Sequence, residues 1–265
     1  MKYGICNLSV LPLRKAATHK SEMISQLLFG EVYEVLSVSD CEEWIEICNW
    51  ADDYKGWLPK INLIKISESF YLKHINNAPH QYLYDIFGTI SNWKKRENTP
   101  ITIGAVLPFF SSKRRVFDLE EENKKENILL KRDIYQSLKE TELERIAKSY
   151  LNTPYLWGGR SSFGIDCSAF VQQVYKLYND VRLPRDASQQ ATVGTEIPFA
   201  ERKKGDLAFL NNSEGVIDHV GLLLSENEII HSSGKVRIDT FTEKGILNQE
   251  TESYSHNFHH LMRVV

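Results

Sequence analysis

A change in hydrophobic period near residue 141 constrains this chain more than any other feature. Upstream, apolar and polar residues alternate in short runs: Glu31–Val38 (EVYEVLSV), Trp44–Trp50 (WIEICNW), and Gly56–Ile66 after a turn-like Ala51-Asp52-Asp53. Short alternating runs with turn signals at this spacing predict a small β-barrel or sandwich over residues 1–66. Downstream, Leu143, Ile146, Ala147, Tyr150 and Leu151 fall at helical spacing, so a helix with one apolar face is expected. Thr141-x-x-Glu144 reads as its capping box, and Asn152-Thr153-Pro154 as its end. A second helix begins near Cys167, with Phe170, Val171, Val174, Tyr175 and Tyr178 on one face. Strand-like runs follow at Asp206–Leu210, His219–Leu224 and Glu228–Ser232. Helices followed by strands predict an α+β domain over residues 136–265. Residues 67–135 are less regular. Ile101–Phe110 reads as strand and the charge run Glu120–Glu126 as a solvated hairpin tip or loop, giving a second small β-domain as the expectation.

Composition narrows the class. With 42% hydrophobic and 25% charged residues in 265, the chain has enough apolar surface for real cores. Thirty-two basic against 35 acidic residues leave a formal charge of −3. That balance argues against a nucleic-acid binder and against adhesion to an anionic wall or membrane. A small, diffusible substrate fits better, with no obligatory protein partner. No stretch approaches the ~18 apolar residues of a spanning helix. Met1–Arg14 lacks the apolar run of a secretory signal, so a cytoplasmic location is expected. Of the four cysteines, Cys6, Cys41 and Cys48 show no metal-like spacing and read as plain thiols.

Cys167 differs from these because Gly164-Ile165-Asp166-Cys167-Ser168 places it where a loop becomes a helix. A helix N-terminus or a nearby imidazolium lowers a thiol's pKa, and the thiolate is the nucleophile. Placement alone fits a small buried residue better. A thiol nucleophile needs a base in reach and a group that orients the base. His219 opens one apolar run and His231 lies on the next, twelve residues on. That interval suits one strand, a turn and the adjacent antiparallel strand. Singly, each histidine fits a structural role; with Cys167 they suggest a nucleophile, a base and an orienter. No Gly-x-Ser-x-Gly elbow, HExxH pair or phosphate-binding glycine loop is present in the sequence, so neither a metal nor a cofactor is expected.

Thr153-Pro154-Tyr155-Leu156-Trp157-Gly158-Gly159 and Gly164 to Gln172 resemble the nucleophile region of NlpC-type peptidases, papain-like enzymes that hydrolyse bacterial cell-wall peptides. Lys204-Gly205-Asp206-Leu207, Asp218-His219-Val220-Gly221 and Ile230-His231-Ser232 match the rest of the pattern in order. The upstream region resembles bacterial SH3-like modules, more loosely. Together they resemble the dipeptidyl-peptidase VI branch, γ-D-glutamyl-L-diamino acid endopeptidases of murein-peptide recycling.

The resemblance implies a papain-like domain of helices packed on an antiparallel sheet, preceded by two small SH3-like barrels. It also implies roles. Cys167 attacks the scissile carbonyl, His219 shuttles the proton, and His231 orients His219. Tyr155 helps the Cys167 N–H hold the oxyanion. Asp166, Ser168 and Trp157 contact substrate. Asp186, with Glu31 and Tyr54 from the first β-module, meets the free amine of an N-terminal L-Ala, so that L-Ala-D-Glu is released. Simpler readings stand beside these: helix capping for Asp166 and Asp186, a first-turn residue for Ser168, a core aromatic for Trp157, a polar strand position for Glu31, a turn aromatic for Tyr54, and a solvated loop charge for Arg160. Three other functions remain open: a secreted wall hydrolase with anchoring modules, a non-catalytic peptidoglycan binder, and a thiol acyltransferase.

Overall fold

The computed structural model describes residues 2–92, 96–111, 116–121, 124–130 and 142–264. They form two compact units, Met1–Glu140 with Trp157–Ser162, and Thr141–Leu156 with Phe163–Val265.

In the first unit the alternating runs become strands β1 (Tyr3–Ile5), β2 (Val10–Arg14), β3 (Met23–Leu28), β4 (Val32–Val38), β5 (Trp44–Asn49), β6 (Lys55–Pro59) and β7 (Ile64–Lys65). They make one antiparallel sheet in the order β3-β2-β6-β5-β4-β1-β7. Alternation sends Leu11, Leu13, Leu27, Ile45, Ile47 and Leu58 into one core, each such side chain contributing about 1.5–3 kcal/mol by leaving water. Helix α1 (Glu68–Ile75) follows, capped by Ser67, whose Oγ accepts the Phe70 N–H at 3.1 Å. The sequence reading had no helix here, because only Tyr71 and His74 of its eight residues are buried. Strands β8 (Phe87–Asn92), β9 (Glu97–Thr102), β10 (Val116–Glu121) and β11 (Lys124–Leu130) form a second sheet, ordered β10-β11-β8-β9. Strand β9 starts and ends earlier than expected. It tolerates Pro100 because it is an edge strand. Of the charge run Glu120–Glu126, expected as a hairpin tip or loop, Glu120 and Glu121 lie on β10 and Lys124, Lys125 and Glu126 on β11, with Glu121 opposite Lys124 in register, while Glu122 and Asn123 lie outside the described residues. A further core joins Tyr3, Ile5, Phe29 and Val32 to Tyr71, Leu83, Ile90, Ile101 and Leu107, so apolar packing runs across residue 66. The short strand β12 (Arg160–Ser161) packs against β3.

The second unit holds helices α2 (Leu143–Ser149), α3 (Cys167–Asn179) and α4 (Ala187–Gln190), with strands β13 (Gly164–Ile165), β14 (Thr195–Ile197), β15 (Leu207–Asn211), β16 (Ile217–Leu223), β17 (Glu228–Ser233), β18 (Lys235–Thr242), β19 (Gly245–Asn248) and β20 (Ser253–Arg263). It is α+β, as the change of period requires. Thr141, the expected cap of the first helix, lies outside the described residues, and Glu142 precedes the helix without a side-chain capping bond. The sheet runs β14-β20-β15-β16-β17-β18-β19, and β19 pairs back onto β20, so the eleven-residue β20 closes it on itself. Helix α3 packs on β16 and β17. It is buried from Cys167 through Leu177, well beyond its expected apolar face. Among the described residues no helix is long and apolar enough to cross a membrane.

Candidate active site

The start of α3 carries the candidate nucleophile. Asp166 caps the helix, its carboxylate accepting the Ala169 N–H at 2.9 Å, which is what a cap residue does for an orphan donor. Cys167 is therefore the first helical residue. It is buried, with Sγ 3.9 Å from the Asp218 carbonyl oxygen. The Val220 N–H also faces the sulfur, so the thiol lies against the backbone on either side of His219. Burial pushes this thiol up to about 12, and the Asp166 carboxylate adds to the effect; the Val220 N–H and Arg185 oppose it. The sequence reading expected the helix start to depress the thiol. Desolvation outweighs it here because the sulfur has almost no access to water.

Strand pairing gathers the imidazoles. Gly221 of β16 faces His231 of β17, which makes His219 and His231 diagonal neighbours on one face of the sheet. His219 Nε2 and His231 Nδ1 are 2.8 Å apart, with ring planes at 85°. Behind them, His231 Nε2 lies 3.1 Å from Asp239 Oδ2. Asp239 is fully buried and also receives the Gln249 N–H at 3.0 Å and Arg237 Nη2 at 3.1 Å, both on Oδ1. A fourth group, His256 of β20, stacks on the His219 ring at 4.1 Å and 19°. Burial holds His219 well below the ordinary imidazole value, and the neighbouring His231 and His256 push the same way. His256 is drawn down to about 4, again chiefly by burial. Burial alone would raise Asp239. Its hydrogen bonds from His231, Gln249 and Arg237 outweigh that and keep the carboxyl below its usual range.

Neither Asp239 nor His256 stood out in the sequence. Asp239 was reachable: Arg237 pairs with His231 in the β17–β18 hairpin, so the residue two further on is its diagonal neighbour. His256 comes from a distant strand and leaves no local signal.

Tyr155 is placed by two main-chain contacts, its N–H on Gly234 O at 2.9 Å and a parallel bridge to Ile165. Its hydroxyl is pushed up to about 12 by burial and by the neighbouring Cys167 and Asp166. Asp166 and Ser168 share one partner that the sequence did not suggest. Arg185 donates to Asp166 at 3.0 Å and to Ser168 Oγ at 2.8 Å, and all three are buried. The next residue, Asp186, is half-buried at the start of α4, where Gln189 Oε1 accepts its N–H at 3.3 Å. The second unit thus brings together Cys167, His219, His231, Tyr155, Asp166 and Ser168, with Asp186 next to Arg185.

Glu31, Tyr54 and Trp157 belong to the first unit. Glu31 is buried, and both its oxygens are held by Arg160, at 2.7 and 3.0 Å. Arg160, expected as a solvated loop charge, is instead only 2% exposed. It is drawn in by Glu31 and by Gln26, which accepts its N–H at 2.9 Å. Tyr54 sits in the β5–β6 turn, half-buried. Trp157 is 58% exposed, and its indole N–H reaches Glu22 at 2.7 Å.

Comparison with known proteins accounts for both units. Residues 152–254 match the NlpC/P60 family, and residues 13–63 match the bacterial dipeptidyl-peptidase Sh3 domain. A γ-D-glutamyl-L-lysine dipeptidyl-peptidase of Bacillus subtilis is 31% identical over 236 residues, covering 83% of this chain and 76% of that protein. An enzyme of the same name from Bacillus cereus is 26% identical, covering 81% and 68%. A crystal structure of an NlpC/P60 family protein from Bacillus cereus shares the fold, with a TM-score of 0.78 over 99% of each chain at 20% identity. With a buried thiol at a helix start, a histidine pair on the adjoining strands and a match to the dipeptidyl-peptidase Sh3 domain upstream, this chain is a cysteine peptidase of the NlpC/P60 family.

Proposed function

We propose that this peptidase hydrolyses the γ-D-glutamyl–L-diamino acid bond of murein peptides with a free N-terminal L-Ala, releasing L-Ala-D-Glu. The observation that carries it is the seat of Cys167: its Sγ rests on the backbone flanking His219, whose ring is bonded in turn to His231. His219 takes the thiol proton as Sγ attacks the γ-carbonyl carbon. The tetrahedral oxyanion is met by the Cys167 N–H and the Tyr155 hydroxyl. With its pKa near 12 that hydroxyl stays protonated at neutral pH, so it donates; such a donor contributes about 3–4 kcal/mol. His219 returns the proton to the leaving amine, and water attacks the thioester along the same path in reverse. Burial favours the neutral thiol–imidazole pair at rest, which couples proton transfer to attack.

For the amine, the resemblance points to Asp186, whose half-buried carboxylate follows Arg185 at the start of α4. Asp166 is already matched by Arg185, and Glu31 by Arg160. The two Bacillus relatives named for a lysine-containing bond support the choice of linkage. Peptides with free L-Ala arise after an amidase has removed the sugar, and cytoplasmic recycling is the setting we propose for the reaction.

The test is turnover of L-Ala-γ-D-Glu-L-Lys and its diaminopimelate counterpart, each with and without N-acetylation. Release of L-Ala-D-Glu that disappears in Cys167→Ala is expected, with the acetylated forms cut much more slowly. Equal rates for free and acetylated peptides would remove amine recognition and leave the peptidase intact. With Asp186→Asn, discrimination between the two should shrink. Glu31→Gln should leave it unchanged, its charge being already spoken for.

A further inference from the structure

We propose that Asp239 is a positioning residue of the catalytic chain, one that makes His231 a relay between a buried carboxylate and the base rather than a neutral prop. The inference rests on His219 being that base, and it does not depend on which bond is cut. Asp239 Oδ2 lies 3.1 Å from His231 Nε2, and His231 Nδ1 lies 2.8 Å from His219 Nε2. A carboxylate can only accept. His231 therefore carries its proton on Nε2 and turns the lone pair of Nδ1 toward His219. His219 must then donate from Nε2, which leaves its Nδ1 lone pair as the one site able to take the proton of Cys167. One buried carboxylate thus fixes two tautomers in series. When His219 becomes an imidazolium, its Nε2–H bond to His231 is backed by a full negative charge one ring away.

The surroundings keep that charge in place. Oδ1 of Asp239 accepts the Gln249 N–H and Arg237 Nη2, while Oδ2 faces the imidazole and also lies 2.8 Å from Arg237 Nε, an ion-pair contact without hydrogen-bond geometry. The charged and titratable groups around the chain are Arg237 on β18, Glu250 beyond it at 3.2 Å, and His256 stacked on His219. Among these, Asp239 is the acceptor that sets the direction of the series, because Arg237 only donates and Glu250 pairs with Arg237.

Asp239→Asn tests the direction. Its amide oxygen will stay on the Gln249 side, where two hydrogen bonds converge, because Arg237 Nε near the other position makes none; its NH2 will then face His231. That reverses every bond: His231 becomes the Nδ1–H tautomer, and His219 carries its proton on Nδ1, where the thiol needs a lone pair. When a carboxylate touches the base directly, the same substitution in a serine protease lowers kcat about 10⁴-fold. One imidazole further away, a loss of about 10²-fold in kcat with KM within about twofold is expected. Nitrogen-15 spectra of histidine-labelled protein give the second readout, which a merely structural role would not move. Wild type should show His219 and His231 both protonated on Nε2, and Asp239→Asn should show both on Nδ1. The pH dependence of Cys167 alkylation, followed by mass spectrometry of its peptide, should change in the same variant without any substrate.

Wild-type His219 protonated on Nδ1 would overturn the proposal, even if the variant does not fold. So would an Asp239→Asn enzyme with near-normal kcat and unchanged tautomers. His219→Ala separates the levels: if it alone abolishes turnover, the base stands and the relay falls; if it leaves turnover intact, the base assignment itself is lost.

Discussion

At the scale of single residues, Gly221 shows how tightly the proposed base and its histidine partner are packed. A Cβ added there would meet Ile229 Cδ1 at 2.6 Å and Cγ1 at 2.7 Å, and His231 Cβ at 3.0 Å. The missing side chain is what lets His231 lie directly across the strand pair and reach His219 diagonally. Gly221→Ala therefore forces either Ile229 or His231 aside. Overpacking of this kind costs about 1–3 kcal/mol, and a displaced orienter lowers kcat beyond any loss of folded protein. Melting temperature and kcat measured together check this; an Ala variant with unchanged values for both would show that the sheet absorbs the methyl. Tyr155→Phe isolates a different contribution. It removes the proposed oxyanion donor while keeping the ring and the backbone contacts to Gly234 and Ile165. A fall of about 10²–10³-fold in kcat is expected with little change in KM, and equal changes in both would indicate a binding role instead.

At the scale of elements, the first unit is fastened by a buried ion pair that the sequence did not reveal. The Arg160 and Glu31 side chains are each 2% exposed, 129 residues apart in the chain. Glu31 also accepts the Leu28 N–H at 2.9 Å, so one carboxylate ties the β3–β4 turn to β12. Removing one partner of such a pair strands a charge and costs about 3–5 kcal/mol, whereas replacing both with apolar groups costs far less. Arg160→Met and Glu31→Leu should each lower the urea midpoint sharply, and the double variant should recover much of the loss. Simple additivity of the two would mean the charges act independently. The pair also explains a gap in what the sequence could show. Gly-Gly-Arg-Ser reads as a polar loop because a charged residue's burial depends on a partner with no fixed sequence distance. Where the signal is local, the reading held: α3 and β15–β17 fall close to the runs marked by period alone. The eight residues of α1 escaped because their buried face includes a histidine, and β20 escaped because alternating histidines and serines carry no apolar rhythm.

At the scale of the whole molecule, Cys167 was legible because it sits where a loop becomes α3, and His219 and His231 because they lie on consecutive apolar runs that become β16 and β17. His256 was not, since closure of the sheet by β20 is a long-range event, whereas Asp239, two residues past the hairpin partner of His231, was within reach of a local register argument. That closure has a consequence for stability. His219, His231 and His256 all have values depressed below 6.5 by burial, His256 to about 4. A group with a lowered folded-state pKa contributes stability that is fully present above its unfolded value and lost as pH falls toward the folded one. Below about pH 6.5 the unfolded chain therefore takes up protons that the folded second unit refuses, and stability must fall between about pH 6.5 and about pH 4.5, before most carboxylates titrate. Hydrogen-exchange protection of the β16 and β17 amides, corrected for intrinsic rates, reads this locally. Protection should be weaker at about pH 5.5 than at about pH 7.5. His256→Phe keeps the stacked ring but removes one titrating group, so its protection should depend less steeply on pH. If wild-type protection in β16 and β17 were the same at both values, the three imidazoles would have to be as ready to protonate folded as unfolded, and the buried neutral cluster described around His219 could not be the resting state.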